Sequence, residues 1–250
     1  MQIADYSRKY NIPKDLKGRH AIIFPKNIFC IISGATGCGK TNFMVNLFLK
    51  EGVLKYVDVS VYSTTIFQPA YTYLKACYET FEILIWNQTG RAMKIANFYN
   101  NNSELVDPSS FAKESSHILV FDDVMLQDQT LIKKYFCSGR HNNINVFYLV
   151  QSLHNIAKHC IRDNANMFIL FKQDDKTLKY FRDSHVSGDM DFKEFKEFCD
   201  GAWHKGFGSD QHNYGFVVIN LWDDPQSGRY WENFSKIYIP VKYINKHIDI

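Results

Sequence analysis

The chain has 250 residues, of which 46% are hydrophobic, 16% aromatic and 22% charged, a globular composition able to bury one substantial core. The net charge of +3 is too weak to name a partner, and no Pro/Gly/Ser-rich linker divides the chain into two domains. No stretch approaches 18 apolar residues and no signal-like run opens the chain, so the sequence points away from secretion and membrane insertion.

Residues 1–27 read as a basic N-terminal arm. Arg8, Lys9, Lys14, Lys17, Arg19 and Lys26 face only Asp5 and Asp15, a charge that suits nucleic acid, an acidic face of another subunit or a solvated terminus. From 28 to 250 short apolar runs alternate with helical patterns, which predicts βαβ units and a mostly parallel sheet in one α/β domain. A strand at Ile28–Ser33 enters a glycine-rich turn and a helix from Thr41 to about Lys50. A strand at Val57–Ser63 precedes a helix near Ala70–Tyr78, and Phe81–Trp86 reads as another strand. Residues 87–116, polar and rich in Asn, carry no assigned element. A strand at His117–Val124 leads into a helix at about Gln127–Cys137. Asn145–Gln151 and Met167–Lys172 read as buried strands, and Thr177–Phe181 and Met190–Trp203 as helices. Phe192, Phe195 and Phe198 recur as a core-facing helix stripe. Tyr214–Trp222, a turn at Asp223–Gly228 and Tyr230–Pro240 read as antiparallel strands added to the sheet edge. Cys30, Cys38, Cys77, Cys137, Cys160 and Cys199 show no metal or redox spacing, which indicates a reducing compartment.

The segment Gly34-Ala35-Thr36-Gly37-Cys38-Gly39-Lys40-Thr41 fits G-x-x-x-x-G-K-[ST] throughout, between a predicted strand and a predicted helix. Such glycines let the backbone turn its N–H groups onto phosphate oxygens, and the helix N-terminus adds positive potential. In such a loop the lysine, here Lys40, brings a cation to the β/γ-phosphates of ATP and the hydroxyl, here Thr41, ligates Mg²⁺. Asp122 and Asp123 end an apolar strand, where charge is costly unless a cation matches it. Asp122 at the strand end suits Mg²⁺ held through water, and Asp123 suits polarisation of an attacking water. A second acid favours hydrolysis over phosphate transfer to an acceptor. Gln151 ends its strand. If that strand lies between those bearing the loop and the acids, its amide reaches the γ-phosphate. Arg140 and Arg162 are both candidates for an arginine supplied to a neighbour's site, and the sequence does not choose between them.

GATGCGKT, HILVFDD, SGRHNNINVFYLVQS and IRDNANMFILF, in this order and spacing, resemble the poxvirus-type DNA-packaging ATPases of large DNA viruses and virophages, within the FtsK/HerA superfamily of P-loop NTPases. The resemblance covers about Phe29 to Phe171. It implies a sheet of order 5-1-4-3-2 with helices on both sides, and a ring of five or six copies with ATP at each interface. It also implies pumping of double-stranded DNA, without sequence preference, into a preformed capsid at a vertex or portal component, in the virion or host cytoplasm. Carried over, Lys40 and Thr41 bind nucleotide and Mg²⁺, Asp122 ligates the metal through water, Asp123 is the base, Gln151 the sensor and Arg140 the first choice of finger. Asp123 stands where many members have Glu, which asks for a tighter site. Lys133, Lys134 and His141 are candidates for the DNA-facing pore, with a solvated helix face as the other reading of the lysines. Two further readings stand beside the motor: a nucleotide-switched assembly protein, and a nucleotide kinase, although no lid-like arginine cluster is present.

Overall fold

Runs rich in Val, Ile, Phe and Tyr favour pleated strands, and six of them pair in parallel in the computed structural model, which describes residues 20–204 and 215–244. They are β1 (Phe29–Ser33), β2 (Asp58–Ser63), β3 (Ala96–Tyr99), β4 (His117–Asp122), β5 (Ile144–Val150) and β6 (Met167–Phe171). Three antiparallel strands, β7 (Phe216–Asn220), β8 (Tyr230–Glu232) and β9 (Lys236–Tyr238), extend the β6 edge. The nine-stranded sheet has the order β3-β2-β4-β5-β1-β6-β7-β8-β9. Its central strands β6-β1-β5-β4-β2 reproduce the expected 5-1-4-3-2 arrangement, and the C-terminal strands are added to one edge as predicted.

Each face of the sheet carries its own core. Alternate residues of β1 divide between them: Phe29 and Ile31 on one side, Cys30 and Ile32 on the other. Helices α1 (Lys40–Leu49) and α2 (Pro69–Thr89) pack on the Cys30 side through Phe43, Met44, Tyr71 and Leu74. Helices α3 (Thr130–Ser138), α4 (Asp175–Phe181) and α5 (Phe192–His204) cover the Phe29 side. Burial on both faces explains why the central strands are apolar at nearly every position instead of alternating. On α5, Phe195 and Phe198 are fully buried and Phe192 partly so, the stripe read from the sequence.

Two expectations are corrected, and the stretch left without an element gains a strand. Phe81–Trp86 is not a strand; it lies within α2, one helix of 21 residues. Pro69 starts α2 and Gly90, in the left-handed conformation, stops it. No breaker lies between them, so the apolar run continues the helix. A strand does exist in the unassigned stretch: β3 pairs with β2, and Glu82 of α2 accepts the N–H groups of Ile95 and Ala96 at its start. The folded domain also begins earlier than residue 28. Ile23 and Phe24 are core residues, and the Ile23 carbonyl accepts from Asn220 Nδ2. Residues 1–19, with five of the arm's six basic residues, and Tyr214 lie outside the described residues.

Candidate active site

Parallel strands deliver their C-terminal ends to one pole of a sheet, where open α/β folds form their ligand crevices. Because β5 lies between β1 and β4, the residues that follow these three strands converge there. A cavity of about 960 Å³ occupies this pole, and Thr36, Gly37, Gly39, Lys40, Thr41, Asp122, Asp123 and Gln151 line it.

The turn after β1 requires its glycines. A Cβ on Gly34 would lie 2.5 Å from Cys38 Sγ and 2.7 Å from Phe171 Cβ. Gly39 has φ 98°, in the left-handed region, and precedes the first residue of α1. Lys40 is that first residue. It is only 9% exposed, and its ammonium donates to the carbonyls of Gly34 at 2.6 Å and Ala35 at 2.9 Å. Among the described residues no carboxylate lies within ion-pair distance of it. A buried cation thus sits at a helix N-terminus, where positive potential already accumulates, and the two together suit an anion. Burial raises the Cys38 thiol pKa, with the Lys40 charge opposing, so this cysteine is held as a neutral thiol.

Asp122 is the last residue of β4, 5% exposed, and pairs with Ser63 of β2 and Leu149 of β5. Thr41 Oγ1 donates to its Oδ2 at 3.0 Å and Tyr71 Oη donates to the same oxygen at 2.7 Å. Burial raises the Asp122 pKa, and the two hydroxyls and the Lys40 charge act against that rise. Burial and the neighbouring Asp122 charge keep the Tyr71 phenol far above its usual range, so it remains a donor.

Asp123 ends the strand by turning to φ 56°, a conformation that Asp tolerates better than most residues. Thr64 Oγ1 donates to its carbonyl at 2.9 Å, and Gln151 Nε2 lies 3.4 Å from its Oδ1. Asp123 and Gln151 are both exposed. The strained turn presents its carboxylate to the cavity beside the amide, whereas Asp122 is held back in the sheet.

The arginines and the basic candidates lie elsewhere. Arg140 is exposed in the turn Gly139–Asn142 that leads into β5, at the opposite pole, about 23 Å of strand from Gln151. Arg162 begins the turn before β6 and is 8% exposed, with its guanidinium 5.0 Å from the Tyr180 ring centroid. Among the described residues its Nε has no acceptor. Neither arginine lines the cavity of its own chain. Lys134 pairs with Asp107 at 3.1 Å, Lys133 is half-buried and His141 is exposed. Sequence reasoning missed Tyr71 and Thr64. Pro69 marked a helix start after the β2 strand, which was the available signal for Tyr71, but no motif tied it to Asp122.

The family model of the Poxvirus A32 protein matches residues 21–189, more than half of the chain. The chain belongs to the poxvirus A32 protein family. Comparison with curated proteins finds no match. Among solved structures, the genome packaging NTPase B204 from Sulfolobus turreted icosahedral virus 2 in complex with AMP is similar, with TM-score 0.51 and 12% identity over 86% of this chain and 98% of that one. The same protein in complex with AMPPCP gives TM-score 0.49 at 11% identity, over 86% and 98% of the two chains. The DNA-packaging ATPase B204 from Sulfolobus turreted icosahedral virus gives 0.48 at 13%, over 87% and 98%. At such identities the AMP-bound structure speaks for the fold alone, that of a P-loop NTPase with added C-terminal strands. No helix among the described residues is long and apolar enough to cross a membrane.

Proposed function

We propose that this A32-family chain is an ATP-hydrolysing motor that moves double-stranded DNA into a preformed capsid, working as a ring of five or six copies at a vertex or portal. The observation that carries the reading is the division of labour between two adjacent acids. Asp122 is buried and tied to Thr41, while Asp123 is turned out beside Gln151 across the same cavity.

The loop 34–41 cradles the phosphates of ATP with its backbone N–H groups, and Lys40 exchanges its carbonyl contacts for the β/γ-oxygens. Magnesium fits the neighbouring donor set: Thr41 and Asp122 place two hard oxygens 3.0 Å apart, with one carboxylate, as this cation prefers beside phosphates. When bound it would neutralise charge on the phosphates. Both hydroxyl protons fall on Asp122 Oδ2, so Thr41 and Asp122, with Oδ1 turned from these donors, are the residues that would hold the cation. Asp123 accepts the proton of the attacking water, and the Gln151 amide orients that water and senses the γ-phosphate. Transition-state charge is completed by an arginine of the neighbouring copy. Arg140 remains the first candidate, at the pole away from its own cavity. Arg162 is the second, with its guanidinium over the Tyr180 ring.

The test is ATP hydrolysis by the purified chain with and without duplex DNA, with Lys40→Ala as control. The motor reading expects DNA stimulation that salt weakens and Lys40→Ala abolishes. Nucleotide binding with hydrolysis indifferent to DNA would favour a nucleotide-switched assembly protein, and phosphate transfer to a nucleoside monophosphate would favour a kinase.

A further inference from the structure

Helix α3 ends beside the segment that carries the chain from β5 to β6. Both lie on the Phe29 face of the sheet. Phe136 of α3 and Ile156 and Ile161 of the segment enter the same core, and Cys160 packs against it. That packing brings together two cysteines 23 positions apart, Cys137 and Cys160. Cys137, in the last turn of α3, is exposed and Cys160 is half-buried. Cys137 Sγ lies 3.6 Å from the Cys160 carbonyl oxygen. Asn164 Nδ2 bridges the two residues, donating to that carbonyl at 3.0 Å and lying 3.7 Å from Cys137 Sγ. The Cys160 side chain is itself a hydrogen-bond partner of the Cys137 thiol. Burial, and then this neighbour, raise the Cys137 pKa while the Arg140 charge opposes, so Cys137 rests as a neutral thiol.

Each cysteine also stands just ahead of an arginine. Arg140 follows Cys137 in the turn Gly139–Asn142, and Arg162 follows Cys160 at the start of the turn before β6. Neither thiol lines the nucleotide cavity. Where glutathione keeps thiols reduced, a disulfide is usually transient and serves as a sensor.

We propose that Cys137 and Cys160 close into a reversible disulfide by exchange with a small-molecule disulfide, and that this bond ties the turn bearing Arg140 to the segment bearing Arg162. The effect on the arginines rests on the motor reading above, and the bond itself does not. The exposed Cys137 thiol loses its proton to solvent, and its thiolate attacks the small disulfide. A mixed disulfide forms and one small thiolate leaves. The Cys160 thiolate then attacks the Cys137 sulfur, the protein S–S bond forms and the second small thiolate leaves. The two released thiolates take up the two protons, so two protein thiols are oxidised and one small disulfide is reduced to two thiols. The closed bond holds Arg140 against its own copy and away from a neighbour's nucleotide.

The experiment incubates the full chain with oxidised glutathione. Intact mass, an unreduced peptide map and hydrolysis with duplex DNA are measured before and after dithiothreitol. The expected result is the loss of two hydrogens in mass, a linked Cys137–Cys160 peptide and a fall in DNA-stimulated hydrolysis that dithiothreitol reverses. The fall should be at least about tenfold, out of the about 10³–10⁵-fold that an arginine supplied in trans is worth. Cys160→Ser should stop at a glutathione adduct on Cys137, and Cys137→Ser should keep its hydrolysis under the same treatment. Cys137→Ser retains Cys38, so an equal loss in that variant would place the effect in the phosphate loop and overturn the role given to the pair. Separate adducts on Cys137 and Cys160 with no link between them would overturn the disulfide. A linked peptide with unchanged hydrolysis would overturn the restraint on the arginine. A reduced chain without DNA-stimulated hydrolysis would fail the motor reading and the restraint with it, while mass and peptide map still decide the disulfide.

Discussion

Tyr71→Phe removes one hydroxyl and leaves the buried ring in place. That hydroxyl donates at 2.7 Å to Asp122 Oδ2, which among the described residues also accepts from Thr41, and Asp122 is 5% exposed. A hydrogen bond to a charged group contributes about 1.5–3 kcal/mol, and each 1.4 kcal/mol is about tenfold in an equilibrium constant. The carboxylate then loses one of its two tethers and is less favourably held as an anion in the sheet. The Mg²⁺ concentration that half-saturates nucleotide binding should therefore rise by about tenfold or more, measured with a fluorescent ATP analogue and checked in the hydrolysis assay. Binding of nucleotide without Mg²⁺ should stay close to wild type, because Lys40 and the loop backbone are untouched. A variant with wild-type Mg²⁺ dependence in both assays would refute the view that Tyr71 positions Asp122. A variant that loses metal-free binding equally would show that the hydroxyl supports the loop as a whole and not Asp122 and the metal alone.

Asp123→Asn should lower hydrolysis by at least about 10²-fold, the scale of general-base catalysis, while nucleotide binding persists; equal loss of both would contradict the role given to this acid. Gly34→Ala should abolish nucleotide binding, because its Cβ would meet Phe171 Cβ at 2.7 Å and Cys38 Sγ at 2.5 Å; binding by equilibrium dialysis within a few-fold of wild type would show that the loop yields. His20 is buried, accepts the Lys55 N–H at Nδ1 and donates from Nε2 to Asn145 Oδ1, and burial holds its pKa down at about 4. Below about pH 6.5 the unfolded chain takes up a proton that the folded chain refuses, so stability should fall between pH 6.5 and 4, by about 3 kcal/mol from this residue. Burial depresses His185 in the same direction. Urea midpoints unchanged from pH 7 to 4.5 would contradict this account.

The legible parts of the sequence were those with local signatures. The glycine-rich turn 34–41 is contiguous, and close approach at Gly34 and positive φ at Gly37 and Gly39 demand glycine there. The buried strands β1, β4, β5 and β6 announced themselves as unbroken apolar runs, and Gln151 found its place once β5 lay between β1 and β4. Phe81–Trp86 misled because an apolar run of that length fits a strand or a helix equally, and the deciding breakers, Pro69 and Gly90, stand more than a turn away on either side. β3 was hidden because four residues among asparagines carry little pattern. Tyr71 could not be read as a site residue at all. Its hydroxyl reaches Asp122, 51 positions onward, only because β2 and β4 are neighbours and α2 folds back over them, which is a property of topology and not of any local motif.

Movement along DNA is tested by ATP-driven displacement of a triplex-forming oligonucleotide from a long duplex. The motor predicts displacement that requires ATP and Mg²⁺, does not depend on the duplex sequence upstream of the triplex, and disappears in Lys40→Ala and Asp123→Asn. A chain that hydrolyses ATP under the same conditions yet leaves the triplex in place would contradict the claim.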